Sequence, residues 1–178
     1  MRLLAVCAGV LVPASVANAE SIHLYSYDPA DRPTREAAGP LTFTFRKGLL
    51  HNTLLNLRST EATASADLRP VDEKDLGPGG LRRLAGASDT ARDLYRVQPD
   101  GDGAALAAAL CGEGASAWMA FSPLRLNREL TVLVIGRTAG GPAKLCRSLS
   151  FVFHGEWVLP PGRSLDPRDL DRPRFPGG

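Results

Sequence analysis

Few residues in this chain have the types that chemistry needs, and their spacing decides what they can do. The histidines are His23, His51 and His154. None stands at metal-ligand spacing from another and no H-E-x-x-H motif occurs, so no metal ligands are assigned. His154-Gly155-Glu156 sets an imidazole beside a carboxylate, the residue types of acid–base catalysis. Near neighbours at a strand end rarely share one pocket, and His154 is read as structural or solvated. No serine lies in a G-x-S-x-G elbow, and nothing selects one serine as a nucleophile. Asp100-Gly101-Asp102-Gly103 resembles the start of a calcium loop, but Ala104, Ala105 and Cys111 fall where an EF-hand needs two oxygen ligands and a glycine. It reads as a tight turn. Gly77-Pro78-Gly79-Gly80 and Gly140-Gly141-Pro142 lack the Lys and Ser/Thr of a phosphate loop and also read as turns. The expectation is no catalytic residue, no cofactor and no metal.

Cysteine is the remaining chemistry. Cys7 lies in an N-terminal stretch with one positive charge, Arg2, then an apolar run to Val12, then Ala17-Asn18-Ala19. That order is a cleavable secretory signal peptide over residues 1–19. The apolar run is too short for a membrane span, which needs ~20 residues. Cleavage removes Cys7 and leaves Cys111 and Cys146. An even, isolated pair in an oxidising compartment predicts a disulfide between them, worth roughly 3–4 kcal/mol in the chain-entropy model. Two buried free thiols are the alternative. Two cysteines alone cannot hold a structural zinc, which takes four ligands.

Composition narrows the function further. The chain carries a formal net charge of +2 and shows no basic stripe of the nucleic-acid-binding kind. No later segment has the length and apolarity of a membrane span. The mature length suits one domain over residues 20–161. Residues 162–178 hold Pro, Gly, Arg and Asp with few apolar groups and read as a disordered tail.

The elements that must position these groups are mostly strands. Ile22 to Tyr27 is β-type, and Asp31 to Pro40 reads as a polar loop. Leu41, Phe43 and Phe45 alternate with threonines and share one strand face. Leu49 to Leu57 is a second apolar run, ambiguous between helix and strand, that fits as the hairpin partner, and Arg58 to Leu68 is small and polar, a weak strand at most. Asp72 to Asp75 opens a helix that Gly77 breaks, and Leu81 to Leu84 adds a helical turn. Asp93 to Val97 is a strand, and Ala104 to Leu110 a short helix ended by Gly112. Ala117 to Phe121 and Glu129 to Ile135 are strands, the latter so continuously apolar that it is placed centrally. Leu149 to Phe153 alternates, and Trp157 to Leu159 follows after Gly155. Trp118, Phe121, Phe151, Phe153 and Trp157 are expected in the core. The predicted fold is mainly β, an antiparallel β-sandwich with short helical insertions, with a mixed α+β domain as the alternative.

From Leu81 onward an ordered series appears: Leu81-Arg82-Arg83-Leu84-Ala85, Leu94-Tyr95-Arg96-Val97, Ala120-Phe121-Ser122-Pro123-Leu124, Arg128-Glu129-Leu130-Thr131-Val132-Leu133-Val134, Gly140-Gly141, Cys146-Arg147 and Val158-Leu159-Pro160-Pro161. This series resembles subunit 10 of the endoplasmic reticulum membrane protein complex. The resemblance implies a lumenal β-sandwich without catalysis. Its partners would be other subunits of a membrane protein complex that inserts transmembrane segments, contacted over an interface of ~800 Å² on its side. The family usually ends in a transmembrane helix, which the sequence to Gly178 lacks; membrane association is therefore expected through partners or a missing C-terminal anchor. The alternative is a secreted or periplasmic bacterial β-rich binding protein.

Overall fold

The structure is a computed structural model that describes residues 21–48, 52–86 and 93–159. The expected signal peptide, the expected tail and His51 lie outside the described residues. The described residues form eight strands: β1 (Ser21–Pro29), β2 (Leu41–Lys47), β3 (Asn52–Ser59), β4 (Ala64–Pro70), β5 (Asp93–Val97), β6 (Ser116–Phe121), β7 (Leu130–Arg137) and β8 (Lys144–Leu159). Three helices lie between them: α1 (Arg32–Ala38), α2 (Gly80–Ala85) and α3 (Gly103–Cys111), with a short 3₁₀ helix at Glu73–Leu76.

The β-sandwich expectation is overturned. Each strand pairs antiparallel with the next, and β8 pairs back onto β1, so among the described residues the sheet closes into a barrel rather than splitting into two. The physical reason lies in β8. Leu149–Phe153 and Trp157–Leu159, on either side of Gly155, belong to one strand of 16 residues. Its first half pairs with β7 from Gly136↔Lys144 to Leu130↔Phe151. Its second half pairs with β1 from Pro29↔Phe151 to Ile22↔Leu159. The register shifts between Ser26 and Tyr27, where Gly155 and Phe153 are the partners, and this bulge bends the strand. The period-2 alternation that both architectures share cannot tell them apart; one bent strand serving two neighbours does.

Asp31 to Pro40 also departs from its loop reading. Asp31 accepts a hydrogen bond from Thr34 N at 2.7 Å, Pro33 sits in the first turn and Gly39 ends the helix. That is an N-cap, an N-terminal proline and a glycine stop within one short segment. Hydrogen bonds from the Thr34 hydroxyl first, and from its backbone N–H second, hold the Asp31 carboxyl below its usual range.

Side chains fill the barrel. Tyr27, Phe43, Phe121 and Phe151 are fully buried, with Tyr27–Phe43 and Phe43–Phe121 meeting edge to face at 5.7 and 5.3 Å. Burial pushes the Tyr27 hydroxyl up to about 12, and it donates to the Arg125 carbonyl at 3.3 Å. The β1–β2 and β5–β6 connections lie at one end of the barrel and carry α1 and α3. Leu106, Ala107 and Leu110 of α3 and Ala38 of α1 join the core there as a plug.

The outer face of β5–β7 carries a second apolar cluster. Leu76, Leu81, Leu94, Trp118, Ala120, Leu133, Ile135 and Ala143 are buried together beneath the 3₁₀ helix and α2. This explains the unbroken apolar run of β7. Leu130, Val132 and Val134 face the barrel, while Leu133 and Ile135 face this cover. Trp118, Phe121 and Phe151 are buried as expected, whereas Trp157 is 49% exposed on the outside of β8.

Candidate functional site

The predicted cysteine pair comes together. Cys111 ends α3, Cys146 lies on β8, and their Sγ atoms are at bonding distance, 2.14 Å, across a separation of 35 residues. The bridge pins the plug helix to the wall. Gly136 on β7 makes room for it: a Cβ there would lie 2.6 Å from Cys146 Sγ and 2.8 Å from Cys111 Sγ. Among the described residues, no group of three or more His, Cys, Asp or Glu converges as a metal site.

The other expected turns keep structural roles. Gly103 N donates to Asp100 O at 3.1 Å, closing a turn into α3, and a Cβ at Gly103 would strike Gln98 O at 1.7 Å. Gly77-Pro78-Gly79-Gly80 lines an open hollow of about 400 Å³ with Asp72, Glu73 and Lys74. Gly77, Gly79 and Gly80 all have positive φ, and the Glu73 carboxylate fills the space over Gly80 while accepting from Leu81 N at 3.3 Å. A phosphate there would meet that carboxylate.

A polar cluster occupies the end of the barrel opposite the plug. Alternation along β1 sets Ser21, His23, Tyr25 and Tyr27 on one face, and β2 brings Phe45 and Lys47 beside them. Glu156 is the β8 partner of Tyr25. His23 Nδ1 lies 2.5 Å from Glu156 Oε1, and Ser21 Oγ lies 2.9 Å from His23 Nε2. Lys47 Nζ donates to the same Glu156 oxygen at 2.9 Å and lies 5.2 Å from the centroid of the Tyr25 ring. The side chains of His23, Lys47 and Glu156 are only 13, 26 and 22% exposed. The Lys47 hydrogen bond is the main reason that the Glu156 carboxyl is held below its ordinary range, with His23 adding to it. Burial opposes the charge on Lys47, but the Tyr25 hydroxyl and Glu156 together outweigh it and raise its pKa.

Serine, imidazole and carboxylate thus follow one another in the order of a proton relay. Lys47 shares the Glu156 oxygen that the imidazole contacts, and the four groups tie β1, β2 and β8 together across the closing seam, a latch at the end opposite the plug.

His154 and Glu156 do not share a pocket. His154 Nδ1 contacts Asp28 Oδ2 at 2.7 Å on the outer face, and its ring stacks near Trp157, with centroids 6.0 Å apart. The sequence reading missed Ser21, Tyr25 and Lys47. Their signal was the same-face spacing along β1 and β2, which acquires meaning only once the β1–β8 register is known. No family model, curated protein or solved structure matches the chain.

Proposed function

We propose that this chain is a non-enzymatic accessory subunit of the endoplasmic reticulum membrane protein complex, working in the lumen by binding other subunits. The barrel in place of a sandwich removes the fold from the support for this reading. The observation that carries it is where the resembling residues lie. Leu81 to Ala85 is α2, Leu94 to Val97 lies on β5, Ala120-Phe121 ends β6, Leu130 to Val134 lies on β7 and Cys146-Arg147 on β8. These scattered segments form one continuous wall, with Leu81 buried against Leu94, Trp118 and Leu133. The filled core favours action through the surface rather than through an enclosed ligand.

Affinity purification of the tagged full chain from detergent-solubilised membranes tests this. The expected result is recovery of the other subunits of the insertion complex in fixed ratio. Recovery of a free monomer from the periplasm or medium, with no membrane subunit attached, would falsify the proposal.

A further inference from the structure

The wall that carries the resemblance also carries an unbalanced row of charge. Leu68 and Val97 face the barrel, so their neighbours Arg69 on β4 and Arg96 on β5 face outward. The two arginines are direct cross-strand partners. Arg96 is in turn the partner of Trp118 on β6. The guanidinium carbons of Arg96 and of Arg137 on β7 lie 5.7 and 5.1 Å from the Trp118 ring centroid. Like charges directly opposite in a sheet repel and destabilise it. Among the described residues, no carboxylate forms an ion pair with Arg69, Arg96 or Arg137. Asp67, two residues along β4 on the same face, is held by Asn56 Nδ2 at 3.0 Å. Asp75 offers Arg137 only its backbone carbonyl, at 2.6 Å.

Beneath this row the Trp118 ring, which Arg96 and Arg137 approach, is 4% exposed. Three cations along one row call for an oxyanion. Guanidinium groups match carboxylates in bidentate geometry, and Arg and Trp are enriched where proteins bind one another.

We propose that the outer face of β4–β7 beside the 3₁₀ helix, centred on Arg69, Arg96 and Arg137 over the buried Trp118, binds a carboxylate-rich segment of a protein partner. This names the chemistry of the partner and rests on the binding role proposed above.

Trp157 is exposed and replaceable, so a Trp157→Phe chain leaves Trp118 as the sole tryptophan reporter. Titration with a hexaglutamate peptide at low salt is expected to change Trp118 fluorescence saturably. The double variant Arg69→Gln/Arg96→Gln is expected to weaken the apparent affinity about tenfold or more, which is about 1.4 kcal/mol. Its melting temperature should be unchanged or higher, because it removes a repulsive pair. Arg32→Gln, at the exposed start of α1, is expected to bind as the parent does. A response that does not saturate, equal binding by the double variant, or tighter binding of inorganic phosphate or phosphatidylserine vesicles than of the peptide would overturn the assignment. Purification of the tagged double variant separates the two proposals. If it retains the partner complex, this site is wrong and the binding role stands. If the wild-type chain recovers no complex, the role fails, and the site is still judged by the peptide titration.

Discussion

Glu156 shows how one side chain can hold the barrel's seam. It accepts from Lys47 and contacts His23, and Gln in its place keeps an acceptor oxygen but loses the charge that faces the ammonium. Glu156→Gln is expected to cost about 1 kcal/mol, the difference between a charged and a neutral acceptor. The pH dependence has a definite sign. The folded pKa of Glu156 is lowered, so its contribution is present above the ordinary carboxylate range and is lost as pH falls through the lowered value. That of Lys47 is raised, so its contribution is complete below the ordinary lysine value and is lost as pH rises through the higher one. Urea midpoints from neutral to acid pH should therefore show a steeper loss for the parent than for Glu156→Gln; parallel curves would remove Glu156 from the latch. Ser21 provides the matching chemical check. The latch reading expects no labelling by a fluorophosphonate probe, and stoichiometric labelling abolished in Ser21→Ala would replace the binding role with a hydrolytic one. Gly136 is the third residue-scale case. A methyl group there collides with both sulfurs, so Gly136→Ala should lower the melting temperature in the oxidised protein. The loss should shrink once the bridge is reduced, which a melt with and without reductant reads directly.

At the scale of elements, α3 and the outer cover are the pieces with separable energetics. The bridge holds α3 against β8 across 35 residues, and the chain-entropy model assigns it roughly 3–4 kcal/mol. Cys111→Ser/Cys146→Ser should lose about that much by denaturant titration; a loss near zero would mean that Leu106 and Leu110 seat the plug unaided. Most elements were legible in the sequence because local patterning dictates them. The alternation of Leu41, Phe43 and Phe45 gave β2 its buried face, and Gly112 marked the end of α3. The apolar run of β7 announced burial on both faces, although not the reason, which is the α2 cover. What stayed hidden depends on register and on long-range contact. Gly155 marks a bulge within one long strand, and residue type alone does not distinguish a bulge from a turn. The N-cap of α1 was present in Asp31 but was outweighed by the polar composition around it. The latch could not be read at all, since Lys47 and Glu156 are distant in sequence and meet only when β8 closes on β1.

For the whole molecule, closure has a consequence that a sandwich would not share. Each strand neighbours the next in the chain, so every pairing is a local meander step except one, β8 with β1. That seam joins the two ends of the described chain, and Ile22 and Leu159 are direct partners. A short Gly-rich hairpin can therefore link Leu159 to Ser21 without moving either strand. Reopening the chain at Gly140-Gly141, in the turn between β7 and β8, cuts no strand and leaves Cys111 able to bridge Cys146. Such a circular permutant retains all eight pairings. It should fold to the same barrel with a comparable melting temperature and a protected disulfide, as expected for cuts at exposed turns. Its folding rate carries the sharper test. The permutation turns the most distant pairing into a hairpin but makes the β7–β8 pairing the distant one. Loop-closure entropy is thus moved rather than removed. If β1–β8 docking, with its aromatic contacts from Tyr25 and Tyr27 to Phe153, limits the folding rate, the permutant folds faster. If β7–β8 docking limits it, the permutant folds more slowly. A permutant that fails to fold despite an intact linker would mean that these ends are not joined as a closed barrel requires.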